Sequence, residues 1–356
     1  MTDVIRVAAD HPDPAAIARA AACLRDGGLV AFPTETVYGL GVNALNRPAV
    51  LRLFAAKQRP ANDPLIVHVG SIDSLAPLVM RVPEQARVLG QHFWPGPLTL
   101  VLTRSGQVPD EVTAGLPSVA VRVPVHPVAR ALMDAAAIPI AAPSANLFSR
   151  PSPTQASHVL ADLDGRIDLI VDGGPTTIGV ESTVLDLTRD PPTILRPGAV
   201  TIEMLQQVIE RVAAAEVVAG ERAREGTSMP SPGMMEKHYS PRAELTLFES
   251  KVGAVLPPLI AAATAALAAG QSVGVIAADE DRDALTSLAS DPRVRLRLIG
   301  RQNAAEMVAA RLYSTLRELD AAGTDVILVR GFSNHGLWAA VQDRLRRAAA
   351  GRIIRS

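Results

Sequence analysis

Gly28-Leu29-Val30-Ala31-Phe32-Pro33-Thr34-Glu35-Thr36-Val37-Tyr38-Gly39-Leu40-Gly41 joins a short apolar run to a cluster of hydroxyls, a carboxylate and a phenol. The run from Gly28 to Phe32 is bounded by turn residues and reads as a buried strand. A polar cluster at the end of such a strand is where open α/β sheets place their ligands. Gly39 and Gly41 would let backbone approach a ligand closely. The same residues also suit a helix start capped by Thr34 or Thr36. Either reading leads from a buried strand into a polar segment, and puts the first part of the chain in the α/β class.

The pattern repeats outward from there. Leu65–Val69, Leu98–Leu102, Ser118–Val123, Ile138–Ala142, Leu169–Val171 and Ser182–Leu187 read as further strands. Pro14–Arg25, with a start signal at Asp13-Pro14, and Ala49–Ala56, Pro83–Gly90 and Pro127–Ala136 read as helices. Strands and helices do not alternate cleanly, which predicts a mixed sheet. Residues 214–241 hold Gly220, Gly226, Pro230, Pro232 and Gly233 without a sustained period, as expected of a linker or an active-site lid. Beyond them, Leu245–Phe248, Ser272–Ala277, Val294–Ile299 and Val326–Arg330 alternate with helical segments near Leu259–Ala269, Arg282–Leu288, Asn303–Ala322 and His335–Ala349. That alternation predicts a small parallel, Rossmann-like sheet. The expected domains are 1–213, a linker at 214–241, and 242–356.

Composition narrows the function classes. The chain has 356 residues, 48% apolar and 20% charged, which excludes a disordered polymer. Thirty-five basic and 36 acidic side chains nearly cancel, unlike a protein that coats nucleic acid. A single cysteine, Cys23, permits neither an intrachain disulfide nor a cysteine zinc site and suits a reducing cytoplasm. Met1-Thr2-Asp3 does not open a secretion signal. The uncharged run Val252–Gly270 is split by Pro257-Pro258 and reads as a buried helix rather than a membrane span.

The common nucleotide and hydrolase motifs are missing: no Walker Gly-x-x-x-x-Gly-Lys-Ser/Thr, no His-Glu-x-x-His, no Gly-x-Ser-x-Gly. The seven histidines show no metal-ligand spacing. Other residues stand out near strand ends. Only three lysines, at 57, 237 and 251, occur in a chain that otherwise uses arginine. Lys57 and Arg59, before a proline turn, suit either a phosphate clamp or a solvated helix end. His68 interrupts an apolar strand as a core histidine or a ligand contact. On Ser118–Val123, Val119, Val121 and Val123 share one face, and Arg122 shares the other with Ala120 and Ser118. An arginine there needs a ligand anion, an internal carboxylate or water. Pro143-Ser144-Ala145-Asn146, Asp172-Gly173-Gly174, Glu181-Ser182-Thr183 and Leu195-Arg196-Pro197-Gly198 add small polar turns and one more arginine. Together they suggest a cationic, hydroxyl-lined site for a multiply anionic ligand, without an evident covalent nucleophile.

The ordered set is specific. Pro-Thr-Glu-Thr-Val-Tyr-Gly-Leu (33–40), Lys-x-Arg (57–59), Pro-Leu-x-x-His (64–68), Trp-Pro-Gly-Pro-Leu-Thr (94–99), Val-Arg-x-Pro (121–124), Ala-Pro-Ser-Ala-Asn (142–146), Asp-Gly-Gly (172–174), Glu-Ser-Thr (181–183) and Leu-Arg-Pro-Gly (195–198) resemble the YrdC-like family of threonylcarbamoyl-AMP synthases. Ser-Pro-Gly-Met (231–234) and Lys-His-Tyr-Ser-Pro (237–241) resemble the linker of its two-domain form. The resemblance implies a twisted mixed-sheet catalytic domain, a long linker and a smaller Rossmann-like C-terminal domain. It implies a nucleotidyltransferase that makes threonylcarbamoyl-AMP from L-threonine, bicarbonate and ATP, with magnesium, for threonylcarbamoyladenosine formation beside the tRNA anticodon. By motif, Thr36, His68, Arg122, Ala142 and Ser182 would contact threonine. Arg59, Asp63, Ser118, Ser144, Ser152, Arg196 and the linker's Tyr239 would contact ATP. Lys57, Arg59 and Asn146 would serve catalysis around the phosphates and magnesium; the metal ligands themselves are not implied. Asp63 is a mild departure from the family pattern, in which many relatives carry asparagine there. A monomer in the cytoplasm, away from membranes, is the family expectation, with the downstream tRNA-modifying machinery and tRNA as possible partners. Two other classes compete: an RNA-binding module, as linked to single-domain relatives, and a carbamoyl-adenylate enzyme of the hydrogenase-maturation type. The second would carry zinc-finger-like domains that one cysteine cannot build.

Overall fold

The computed structural model describes residues 1–214, 229, 231, 233, 235, 237–250 and 254–355. Most of the expected 214–241 linker therefore lies outside the described residues. Chain contacts divide into two bodies, Met1–Phe148 with Ser152–Met235, and Ser149–Pro151 with Glu236–Ser356.

The first body is built on an eleven-stranded mixed sheet. In chain order its strands are β1 (Asp3–Arg6), β2 (Val30–Pro33), β3 (Tyr38–Asn43), β4 (Ile66–His68), β5 (Leu98–Thr103), β6 (Ser118–Arg122), β7 (Ile140–Ala141), β8 (Leu169–Asp172), β9 (Thr183–Asp186), β10 (Thr193–Arg196) and β11 (Ala213–Ala214). Their spatial order is β1-β8-β2-β3-β7-β4-β6-β5-β9-β10-β11. Helices pack on both faces. Pro14–Arg25 begins where Asp13 accepts from the Ala16 N–H at 2.9 Å, and with Pro127–Ala136 it covers Val30, Phe32, Leu169 and Val171. Ala31, between Val30 and Phe32, belongs to the larger core on the other side. Burial on both faces explains why β2 is continuously apolar. In β6, Val119 and Val121 enter that larger core together with Val67, Leu100 and Leu102. Ala120 faces the other way, with Ile66, Val101, Val184 and Leu195.

One reading of the opening segment is corrected. Thr34 and Thr36 cap no helix, because residues 34–37 turn β2 back on β3 as an antiparallel hairpin, with Val30 opposite Gly41 and Pro33 opposite Tyr38. The glycines of β3 make room for protein, since a Cβ on Gly41 would lie 2.7 Å from the Phe32 ring and 2.9 Å from Ile140. At Gly39 the nearest neighbour would be the Ala142 methyl, at 3.3 Å.

The second body carries a five-stranded, all-parallel sheet, β12 (Glu244–Glu249), β13 (Val273–Ala277), β14 (Val294–Leu298), β15 (Val326–Arg330) and β16 (Ile353–Arg355), in the order β14-β13-β15-β12-β16. Each crossover carries a helix, as the sequence alternation implied. The chain leaves β13 toward β14 and leaves β15 toward β16, so the crevice of an open sheet falls between β13 and β15. There Arg330 donates from Nη1 to both oxygens of buried Asp281 at 2.7 Å. Val252–Gly270 contributes the helix Leu256–Ala268, and among the described residues no helix is long and apolar enough to cross a membrane.

Gly41→Ala is expected to lower stability by about 1–3 kcal/mol through overpacking against Phe32 and Ile140, measurable as a fall in Tm by calorimetry.

Candidate active site

One row of side chains crosses five strands. Register places His68 beside Arg122, Arg122 beside Thr99, Thr99 beside Val184, and Val184 beside Arg196. At about 4.8 Å per strand, the row spans roughly 19 Å. The apolar Ile66, Val101, Ala120, Val184 and Leu195 line the same face. Ser118 lies on it too, four residues back from Arg122, which is about 13 Å along the strand. A face of this length suits an extended ligand with separated charges.

Arg122, second in the row after His68, is buried. Its Nη2 donates to Glu35 Oε1 at 2.5 Å, Nη1 to the Thr36 hydroxyl at 3.0 Å, and Nε to the Gly96 carbonyl at 3.2 Å. Glu35 accepts a further bond from the Val125 N–H at 3.3 Å. The internal carboxylate left open by the sequence is therefore present. Three of the five guanidinium N–H groups are engaged by protein, which leaves two for a ligand. His68 is buried beside Arg122, and its Nδ1 has no hydrogen-bond partner. Burial, reinforced by the Arg122 charge, pushes the imidazole down to about 3, so it is neutral near pH 7. A neutral imidazole whose buried Nδ1 is unpartnered differs from a fully satisfied core histidine.

At the other end of the row, Arg196 donates through Nε and Nη2 to the Ser182 carbonyl at 3.2 and 3.1 Å, and from Nη2 to its hydroxyl at 3.2 Å. The Ser182 hydroxyl also meets Thr99 Oγ1 at 2.8 Å. Gly198 makes this possible: a Cβ there would lie 2.3 Å from the Thr183 nitrogen.

The other residues of the expected site lie outside the row. Lys57, at the C-terminal end of the helix Arg47–Lys57, is buried rather than solvated. Its ammonium donates to the carbonyls of Ser144 and Asn146 and so fixes the loop after β7. Asn146 donates from Nδ2 to the Leu147 carbonyl at 2.7 Å, and the Ala142 N–H donates to the Ile66 carbonyl at 2.9 Å. Arg59 donates to the carbonyls of Asp63 and Pro64 at 3.1 and 2.8 Å, and its Nη2 lies 2.9 Å from the Asp63 carboxylate as an ion pair without hydrogen-bond alignment. Burial pushes the Asp63 carboxyl up, opposed chiefly by Arg59. Ser152 is buried and donates to Glu181 Oε1. Tyr239 belongs to the second body, where its buried ring meets Tyr313 at 5.5 Å and lies under the Arg344 guanidinium.

The sequence is similar throughout to proteins of one activity. A family model named for Sua5, YciO and YrdC, described as telomere recombination, matches residues 22–198, and another, described as threonylcarbamoyl-AMP synthase, C-terminal domain, matches residues 200–350. The threonylcarbamoyl-AMP synthase of Pyrococcus abyssi is 45% identical over 340 residues, covering 94% of each chain. The chain belongs to the threonylcarbamoyl-AMP synthase family. The Bacillus subtilis synthase is 44% identical over 95% of this chain and 94% of its own. The crystal structure of P. abyssi Sua5 complexed with L-threonine matches the whole of both chains at 43% identity, with a TM-score of 0.91. The mixed-sheet body and the parallel-sheet body are the fold expected of a two-domain synthase of this family.

Three groups escaped the sequence reading as site builders. Glu35 stood inside a quoted motif, but its pairing with Arg122 spans 87 residues. Thr99 lay in an apolar strand and gains its place only through register with Arg122. Tyr38 holds two loops by its backbone, donating to the Pro153 carbonyl and accepting from the Ala145 N–H, both at 2.8 Å, while its hydroxyl donates to the Gly174 carbonyl at 2.6 Å.

Glu35→Ala strands a buried guanidinium and is expected to cost about 3–5 kcal/mol in urea unfolding. The pH dependence carries a second signature. Between about pH 6.5 and about pH 3 the unfolded chain holds a proton on His68 that the folded chain does not. Stability therefore falls as pH drops through that window, by up to about 1.4 kcal/mol per pH unit from this group. A His68→Gln variant is expected to show a shallower decline in denaturant midpoint between roughly pH 6.5 and pH 5.

Proposed function

We propose that this chain makes threonylcarbamoyl-AMP from L-threonine, bicarbonate and ATP with release of pyrophosphate, for threonylcarbamoyladenosine formation in tRNA. The observation that carries the reading is the full-length match to P. abyssi Sua5 complexed with L-threonine, joined to a row in which Arg122 keeps two N–H groups and His68 keeps Nδ1 for a ligand. In this proposal the threonine carboxylate pairs with Arg122, while Thr36, His68, Ala142 and Ser182 orient its remaining groups. ATP lies along the same face, toward Arg59, Asp63, Ser118, Ser144, Ser152 and Arg196.

The threonine amine attacks the carbon of CO2 released from bicarbonate and loses a proton, forming a carbamate. A carbamate oxygen then attacks the α-phosphorus, the bond to the bridging oxygen breaks, and pyrophosphate leaves. The protein's contribution is orientation of two anions and fixed positive charge, with no covalent intermediate. Lys57 and Asn146 hold the loop that borders the phosphates. In this proposal a magnesium ion is carried mainly by the ATP phosphates, and Asp63, whose two carboxylate oxygens are buried without a hydrogen bond, is the side chain that would meet it. Bound there, magnesium would neutralise phosphate charge.

Purified protein with ATP, magnesium and bicarbonate is expected to release pyrophosphate only when L-threonine is added. Arg122→Lys, which keeps the charge but loses the planar fork, should reduce the rate by about 100-fold or more. Release that ignores threonine, with the wild-type protein folded, would defeat the proposal.

A further inference from the structure

A cavity of about 320 Å³ lies in the first body at the ends of β4, β6 and β5, a volume in the range of small-molecule sites. Its wall includes Val123, which packs with the core on the face of the sheet opposite Arg122. None of the row residues His68, Arg122, Thr99, Val184 and Arg196 lines it, although Gly96, next to lining residue Pro95, lends its carbonyl to Arg122. The body of the cavity is apolar: Trp94, Ile72 and Val123. The Trp94 indole is anchored by donation to the Leu98 carbonyl at 2.7 Å.

Two arginines reach the cavity from different helices. Arg87 comes from Glu84–Phe93 and is exposed, and Arg130 comes from Pro127–Ala136 and is half-buried. Among the described residues the Arg87 side chain makes no hydrogen bond or ion pair; its backbone N–H donates to the Pro83 carbonyl. Among the described residues the Arg130 side chain donates to the Gly70 carbonyl and forms no ion pair, although the Asp134 carboxylate, one turn further on, would lie 3.2 Å from a Cβ at Gly70. Elsewhere in this body arginines find carboxylates readily, as Arg47 does at Glu111, Arg52 at Asp168 and Arg104 at Asp110. Two guanidinium groups without carboxylates beside an anchored indole form a recognition pattern for an anion on a flat, apolar body.

We infer that this cavity is a second binding site, for a small organic anion: a planar or apolar group bearing one phosphate or carboxylate. The apolar part packs on Trp94 and Ile72, and the anion bridges Arg87 and Arg130.

Trp94 and Trp338 are the only tryptophans, so the full chain carrying Trp338→Phe reports on the cavity by fluorescence. Phenyl phosphate and benzoate are the probes, with phenol as the uncharged control. The expected result is a saturable change in Trp94 emission with phenyl phosphate or benzoate, none with phenol, and persistence under saturating ATP–magnesium and L-threonine. Which anion saturates at lower concentration separates a phosphate ligand from a carboxylate one. Arg87→Ala, at an exposed side chain without partners, should leave the fold intact by circular dichroism and weaken binding about tenfold or more, in line with loss of a charged hydrogen bond. Absence of saturation, an equal response to phenol, displacement by ATP and threonine, or unchanged binding in Arg87→Ala would each overturn the inference. None of these readings depends on turnover.

Discussion

The buried pair between Arg122 and Glu35 is the constraint around which the first body is organised. One partner ends a strand in the middle of the sheet, and the other sits at the tip of the hairpin between β2 and β3. Neither charge can be left alone at that depth. The tip is thereby drawn to the end of β6, and it brings other segments with it. The Ile178 N–H donates to the Glu35 carbonyl at 2.8 Å and the Gly179 N–H to the Thr36 carbonyl at 3.0 Å, so the loop before Ser182 is hung from the same hairpin. A pair of charges whose separation from water is costly thus sets the relation among the end of β6, the hairpin tip and the loop before Ser182.

The parts of this architecture visible in sequence were those written in short-range pattern. Alternation in Ser118–Val123 assigned Arg122 to the face opposite three valines, and that is where it lies. Asp13-Pro14 announced a helix start because capping is local. Strand β3 was hidden, because Gly39 and Gly41 lower its intrinsic preference and its pairing comes from β2 and β7, the latter about a hundred residues away. The strands β1, β10, β11 and β16 and the helix Ala156–Leu163 were missed for similar reasons, being short and owing their form to neighbours. For the site, the motif residues were legible as a set, whereas their partners were not. Whether Arg122 meets a carboxylate, whether Lys57 is solvated, and whether Nδ1 of His68 is satisfied are questions of register and burial, which no window of sequence contains.

The second body shows the opposite use of the same physics. Where an open parallel sheet offers its crevice, Arg330 and Asp281 close on each other, and the Gln342 amide donates to Glu249 at 2.6 Å while Glu249 also accepts from Arg346 and Arg355. Arg330 lies over the Phe332 ring, which stacks on Trp338 at 4.9 Å. The crevice is bridged by the body's own side chains, which ties β13 to β15.

Lys57 has a bearing on self-preservation. A mixed carbamic–phosphoric anhydride is an acylating agent, and the side chains most exposed to its attack in any protein are amines. This chain carries three lysines among 35 basic residues, and the one beside the proposed phosphates has its nitrogen committed to the carbonyls of Ser144 and Asn146. An ammonium carries a proton where a free amine has its electron pair, two carbonyl acceptors favour that charged form, and guanidinium groups, which supply the remaining positive charge of the proposed site, are far weaker nucleophiles. A catalyst built this way handles a reactive product with little risk of modifying itself.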